Sequence, residues 1–388
     1  MDKILEKIID AIPGKIEVIK SFKDSLLADA VMVSEIPSPT FHEKGRIEFL
    51  LNRFNESKLE QVDIDDEGNV MGLLPGTEGK NTILVWAHTD TVFSSEKDHA
   101  VVLTEKELQG PGIGDNSLGV SVTAGLPWIL EKLGIKLKDN LLIVGSVKSL
   151  GRGDLAGIRS FLAQWDTPIR SGVCVQGITL GRLSYSAFAL VRARIALSIP
   201  PEYDWSQFGA AGAIGQLTRL INSMMAIPVP RSPETQLIFG ALNCGNSYKS
   251  VPRHGELRFE VRSVDLEQVN IIMSKIRDII DASVAESGTK IELDILASRS
   301  PGGIEFSHPL VKTVRKVMDE LDVLPRVAPT TGELTALLNE GIPGVTLGLS
   351  TGVNPHELDE SIEIEPIFKG ITQLTTLLEC IDEGLCDG

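Results

Sequence analysis

"LLIVGSVKSLGRGDLAG", Leu141 to Gly157, carries the plan of the chain. Its first half is apolar and β-branched, as in a strand buried on both faces. Its second half is a glycine-rich turn, and "IRSFLAQW" behind it is spaced as a helix. Working outward, "NTILVWAHTD" reads as a strand, "GVSVTAGLPWILEKLG" as a helix and "SGVCVQG" as a strand. Alternation of this kind predicts an α/β sheet with helices on its faces, and functional groups beyond the carboxyl ends of its strands. Yet from Val147 to Arg152 this platform holds no Asp, Glu, His or Cys.

The pattern changes near Ser184. "SAFALVRARIALSIP" alternates apolar and polar, then follow the helix "AAGAIGQLTRLINSMMAI" and the strands "TQLIFGALNCG" and "GELRFEVRSVD". The helix "LEQVNIIMSKIRDIIDASVAESG" and the strand "KIELDILA" close the unit. Strand, helix, strand, strand, helix, strand is the order of a ferredoxin-like α+β sandwich. After Pro301 the α/β style resumes with "HPLVKTVRKVMDEL", "IPGVTLGL" and "IFKGITQLTTLLECI". The expected organisation is a discontinuous α/β domain, 1–184 and 299–388, with 185–298 inserted into it.

Composition narrows the function classes. The chain has 388 residues and 53 acidic against 37 basic, a net charge of −16. That charge argues against a nucleic-acid partner and against an anionic membrane surface. No stretch reaches the ~20 apolar residues of a membrane span. "MDKILEKIIDAIPGK" reads as an amphipathic helix and not as a signal peptide. The four cysteines form no C-x-x-C pair, and Cys174 sits in an apolar run, so the expectation is a cytoplasmic protein without disulfides.

Several clusters could carry chemistry. His88 and Asp90 in "AHTDTV" share a strand face, so Asp90 could fix the imidazole tautomer of a metal-binding histidine; an ordinary polar strand end fits as well. Asp115 in "GPGIGDNSLGV" precedes a helix and could cap it or face a ligand. His356 in "GVNPHELDESI" follows a strand and a loop that could reach the same sheet edge. His42, His99, His254 and His308 stand in polar turns and suit surface or capping roles. "GRGDLA" fits a dinucleotide fingerprint only formally, because "KSL" separates it from the strand and Gln176 stands where a ribose-binding acid belongs. "GALNCGNS" has the glycine spacing of a P-loop but Asn246 in place of its lysine.

These residues, in this order and with this insertion, resemble the zinc-dependent amidohydrolase and exopeptidase family. Acetylornithine deacetylase, succinyl-diaminopimelate desuccinylase, aminoacylase, carboxypeptidase G and peptidase T belong to it. The resemblance runs from "EIPSPTFHEKGR" to the final helix. It implies a zinc-exopeptidase-like domain, a mixed sheet flanked by helices, with the inserted unit as lid and dimerisation domain. It also implies His88 as a zinc ligand supported by Asp90, Asp115 as a carboxylate bridging two zincs, His356 as a ligand of the second, and Arg262 in "EVRSVD" as a lid arginine binding substrate carboxylates.

Several positions depart from that pattern. The family mounts two glutamates on the strand end, a general base and a zinc ligand; here they are Lys148 and Ser149. The acidic ligand of the first zinc is Gln176, a weak ligand at best. The lid histidine that stabilises the tetrahedral intermediate falls near Tyr203, and a lid asparagine near Lys249. The resulting expectation is a homodimeric pseudoenzyme without a full di-zinc centre, holding one weakly bound zinc at most. Its ligand would be a small acyl-amino acid or peptide-like molecule, or its partner a protein. The alternatives are an active amide hydrolase with an atypical or single-metal site, or a protein using the "GRGDLA" turn for phosphate. A lysine, Lys148 before Lys249, is expected to balance the charge of Asp115 and Asp90.

Overall fold

The computed structural model describes residues 2–200 and 212–388. The chain divides into two compact units, residues 1–187 with 303–388, and residues 188–302.

The first unit is built on an eight-stranded mixed sheet. In spatial order its strands are Glu60–Ile64, Val70–Leu74, Asn140–Ser146, Thr82–His88, Ile169–Ile178, Gly344–Ser350, Arg182–Ser184 and Arg326–Val327. Asn140–Ser146, Thr82–His88, Ile169–Ile178 and Gly344–Ser350 run parallel at its centre. Their near-continuous apolar sequence follows from helices covering both faces. Alternate residues divide between those faces. Ile83, Val85, Leu141, Ile143, Val173 and Val175 join one core cluster with the helices Leu118–Leu133 and Glu365–Asp382. Leu84, Trp86, Leu142, Val144 and Cys174 join another, under the helices Ala156–Gln164 and Leu334–Asn339. On this second face the parallel strands deliver His88, Ser146 and Gln176 to the carboxyl edge of the sheet.

The turn behind Asn140–Ser146 owes Gly153 and Gly157 to close backbone approach. A Cβ on Gly153 would meet the Lys148 carbonyl oxygen at 2.3 Å, and one on Gly157 the Val147 oxygen at 2.2 Å. Asn69 pins the same turn, accepting from the Val147 amide and donating to the Gly157 carbonyl, both at 3.0 Å. In "GRGDLA" close approach thus accounts for Gly153, whereas Gly151 has open space and a left-handed backbone (φ 52°).

The second unit is a four-stranded antiparallel sheet in the order Thr235–Cys244, His254–Ser263, Ala189–Ser198, Lys290–Arg299. The helices Gly212–Met225 and Leu266–Ser287 bury Leu217, Leu220, Val269, Ile272 and Ile276 with its strands in one core. Numbered along the chain the strands lie 2-3-1-4, the ferredoxin-like order. Near the N-terminus the single amphipathic helix expected from "MDKILEKIIDAIPGK" is two, Asp2–Asp10 and Ile12–Ser21, with a proline in the first turn of the second. Among the described residues no helix is long and apolar enough to cross a membrane.

Candidate functional site: a buried carboxyl cluster at the sheet edge

His88 ends its strand in register with Ser146 and is 3% exposed. Its Nδ1 lies 3.1 Å from the Asp90 carbonyl oxygen and 3.4 Å from Asp90 Oδ1, and its Nε2 lies 3.1 Å from Asp115 Oδ1. Both ring nitrogens thus face acceptors. Burial works against a charged imidazole, but the bonds to Asp115 and Asp90 outweigh it and hold the His88 pKa well above its usual value. The same pairing overcomes burial at Asp90 and Asp115 and holds both below the ordinary carboxylate range. Asp90 Oδ2 accepts from Thr40 Oγ1 at 2.8 Å and from the amides of Ser149 and Leu150 at 3.1 and 2.8 Å. Asp115 turns its other oxygen to His356 Nδ1 at 3.4 Å. His88, Asp90, Asp115 and His356 are therefore brought together.

Asn116 sets the distance from this group to Gln176. Its side chain donates to the Val175 carbonyl at 2.9 Å and accepts from the Gly177 amide at 2.7 Å, gripping the residues on either side of Gln176.

The two strand-end positions expected to carry carboxylates, Lys148 and Ser149, behave differently. Ser149 points into the cluster, and its Oγ donates to Glu333 Oε1 at 2.5 Å. Lys148 has a left-handed backbone (φ 55°), and its ammonium donates to Glu67 at 2.6 Å. It makes no ion pair with Asp115, contrary to the expectation that this lysine balances the site. Lys249 is exposed in the second unit. The cation set against the cluster from within is instead Arg46, which sequence reasoning missed. Its guanidinium is wholly buried and donates to the Ile36 and Thr89 carbonyls and to Ser117 Oγ, at 3.1, 3.1 and 2.9 Å. Burial lowers its pKa to about 10, against the pull of the Asp90 charge.

Two carboxyl groups were also missed. Glu333 stands before the short helix Leu334–Asn339 and is 2% exposed. Its Oε1 accepts from Ser146 Oγ at 2.6 Å as well as from Ser149, while its Oε2 has no partner. Burial pushes its pKa up, and His88 and the two serines recover only part of the shift. Glu360, four residues beyond His356, is fully buried. The amides of Gly112, Gly114 and Asp115 face it without forming well-aligned bonds, and burial together with the Asp115 charge pushes its pKa up to about 8. The available signal was a lone acid beside an apolar helix ("GELTALL") and one close behind His356.

Of the residues expected to touch substrate, Arg262 is already engaged. Its Nε and Nη2 donate to Gln236 Oε1 at 3.1 and 2.6 Å, and its guanidinium carbon lies 5.4 Å from the Phe188 ring centre. Tyr203 lies outside the described residues. His308 has the capping role expected of it, accepting from the Leu310 amide at 3.1 Å.

Comparison with known proteins fits this geometry. The profile of Peptidase family M20/M25/M40 matches residues 84–379. The chain belongs to that family. Peptidase T of Geobacillus thermodenitrificans (strain NG80-2) is 22% identical over 373 residues, covering 84% of this chain and 88% of that protein. The solved structure of the dipeptidase Dug1p from Saccharomyces cerevisiae superposes with a TM-score of 0.79 at 13% identity, covering 96% of this chain and 99% of that one. A dinuclear metal-binding M20 peptidase from Bacillus subtilis superposes at 0.66 and 15% identity, over 94% and 99% of the two chains.

Whether a dinuclear centre suits this chain turns on its donors. A structural zinc takes four ligands, and a catalytic zinc three plus water. Each half of the site here offers one imidazole and one Asp115 oxygen. Of the other residues expected as ligands, Ser149 offers a hydroxyl already bonded to Glu333, and Gln176 a neutral amide. Among the described residues no group of three or more His, Cys, Asp and Glu side chains is arranged to hold a metal ion. Each half thus shows two protein donors, while the unpartnered oxygens of Glu333 and Glu360 lie in the same cluster.

Proposed function

We propose that this chain is a non-hydrolytic member of the M20 family that binds a small acyl-amino acid or peptide-like ligand. The supporting observation is the strand end at Lys148 and Ser149. A general base must accept a proton from the attacking water. The ammonium of Lys148 cannot do so, and it is paired with Glu67. Ser149 meanwhile joins Glu333 in a hydrogen-bonded bridge that needs no metal. The proposal keeps His88, Asp90, Asp115 and His356 as the retained half of the site, with Arg262, Lys249 and Tyr203 as lid residues.

The proposal includes a cytoplasmic homodimer formed through residues 188–302. Thr235–Cys244 and Lys290–Arg299 are the edge strands of that unit's sheet, and an edge strand can pair with a second copy. All four cysteines are free, which suits a reducing compartment. Sedimentation at micromolar concentration tests the dimer, and a monomer there would refute it.

The deciding assay is hydrolysis of N-acyl amino acids, dipeptides and tripeptides with and without added zinc. No turnover above a boiled control is expected. Metal-dependent turnover would replace this reading with a second one, a hydrolase using a single metal. One observation favours that second reading: Asp115 still offers one oxygen to each of two histidines.

A further inference from the structure

The register of the large sheet sets one arginine level with Gln176, two strands away. Gly348 pairs with Gln176 on one side, and the next strand runs antiparallel to it with Thr346 opposite Ser184 and Leu347 opposite Leu183. Continuing that register brings Arg182 level with Gly348, and so level with Gln176. Arg182 is in turn the parallel partner of Arg326. Both arginines are exposed, and neither side chain makes an ion pair or hydrogen bond among the described residues. Two guanidinium groups adjacent on one sheet edge repel each other, and an anion between or beside them relieves that repulsion. Arg262, the arginine implied for carboxylate binding, already spends its fork on Gln236.

We propose that Arg182, backed by Arg326, is the carboxylate-binding residue of this site. The ligand class is then a small molecule with a free carboxylate, held by the α/β unit itself. The stretch of sheet edge level with Gln176 is used here to receive an acid from the ligand. This rests on the proposed peptide-like ligand, and the test has two arms so that the two ideas fail separately.

In the first arm, N-acetyl-L-leucine and N-acetyl-L-leucinamide are titrated calorimetrically. The acid should bind more tightly by roughly 10- to 100-fold, the worth of a charge-assisted hydrogen-bonded pair. Arg182→Gln should erase that preference, and Arg182→Lys should keep part of it. Equal binding of acid and amide, or a preference that survives Arg182→Gln, overturns the assignment while leaving the peptide-like ligand in place. If neither compound binds, the peptide-like reading falls, and the second arm judges the subsite alone. There, phenylglyoxal labelling of Arg182 is followed by mass spectrometry with and without propionate. Slowing of the labelling by propionate supports an anion subsite, and an unchanged rate overturns it.

Discussion

Two regions of this molecule are rich in charge and handle it in opposite ways. On the sheet of residues 188–302 the outward-facing side chains form a ladder of partly exposed pairs. Arg192 meets Glu260 at 2.8 Å, Arg194 meets Asp294 at 2.6 Å and Glu256 at 3.2 Å, and Arg258 meets Glu256 at 2.7 Å. Arg194 and Arg258 stand directly opposite each other, and Glu256 separates the like charges. Every member keeps contact with water, so no pair is obligatory. At the edge of the large sheet, Asp90, Glu333 and Glu360 are almost completely buried, and each oxygen that lacks a partner is costly. The same carboxylate chemistry is therefore replaceable on one surface and specific in the other. The comparison predicts steep effects of pH and mutation at the site and shallow ones on the ladder.

The largest effect should come from pH. Glu360 has a folded-state pKa near 8, above the ordinary glutamate value, so folding takes up a proton between those two values. Its contribution is full below pH ~4.5 and is lost as pH rises through 8, by about 3–5 kcal/mol at one pKa unit per 1.36 kcal/mol. The raised His88 and Glu333 act in the same direction, so the difference from Glu360→Gln isolates Glu360. Urea unfolding of metal-free protein at pH 5 and pH 8.5 measures it, and equal slopes for parent and variant would remove Glu360 from the account.

Next in size is the serine bridge. Glu333→Ala should cost about 2–4 kcal/mol, because it opens a cavity and leaves Ser146 and Ser149 without their acceptor. Glu333→Gln keeps an oxygen for both hydroxyls and should cost under about 1 kcal/mol. Unfolding midpoints of the two variants check this, and similar losses for both would mean that the carboxyl group is needed for its charge. Smallest is the ladder: Arg192→Ala should cost under about 1 kcal/mol, and less in concentrated salt. A loss as large as that of Glu333→Ala would break the comparison.

The legible and illegible parts of the sequence divide along the same line. The parallel strands, the inserted unit and the ferredoxin-like order could be read because burial imposes periodicity on every residue of an element. His88, Asp90, Asp115 and His356 could be read because strand ends and glycine turns mark where functional groups collect. The direction of Lys148 could not be read, since its partner Glu67 lies 81 positions away in "DIDDEGNV" and the lysine's left-handed backbone turns it there. Arg46 and Glu333 escaped for a related reason. A single charge in a helical sequence usually faces water, and only the packing of distant segments shows that these two do not.

Metal binding is where the account can be contradicted most directly. Zinc uptake should be measured by elemental analysis and calorimetry on the parent and on the variant Ser149→Glu, Gln176→Glu, Glu333→Gln. That variant returns a carboxylate to each half of the site and frees position 149 from the Glu333 charge. The account predicts that the parent retains fewer than about one zinc per chain after dialysis, and that the variant binds zinc orders of magnitude more tightly. A parent that holds two zincs per chain through dialysis would contradict it.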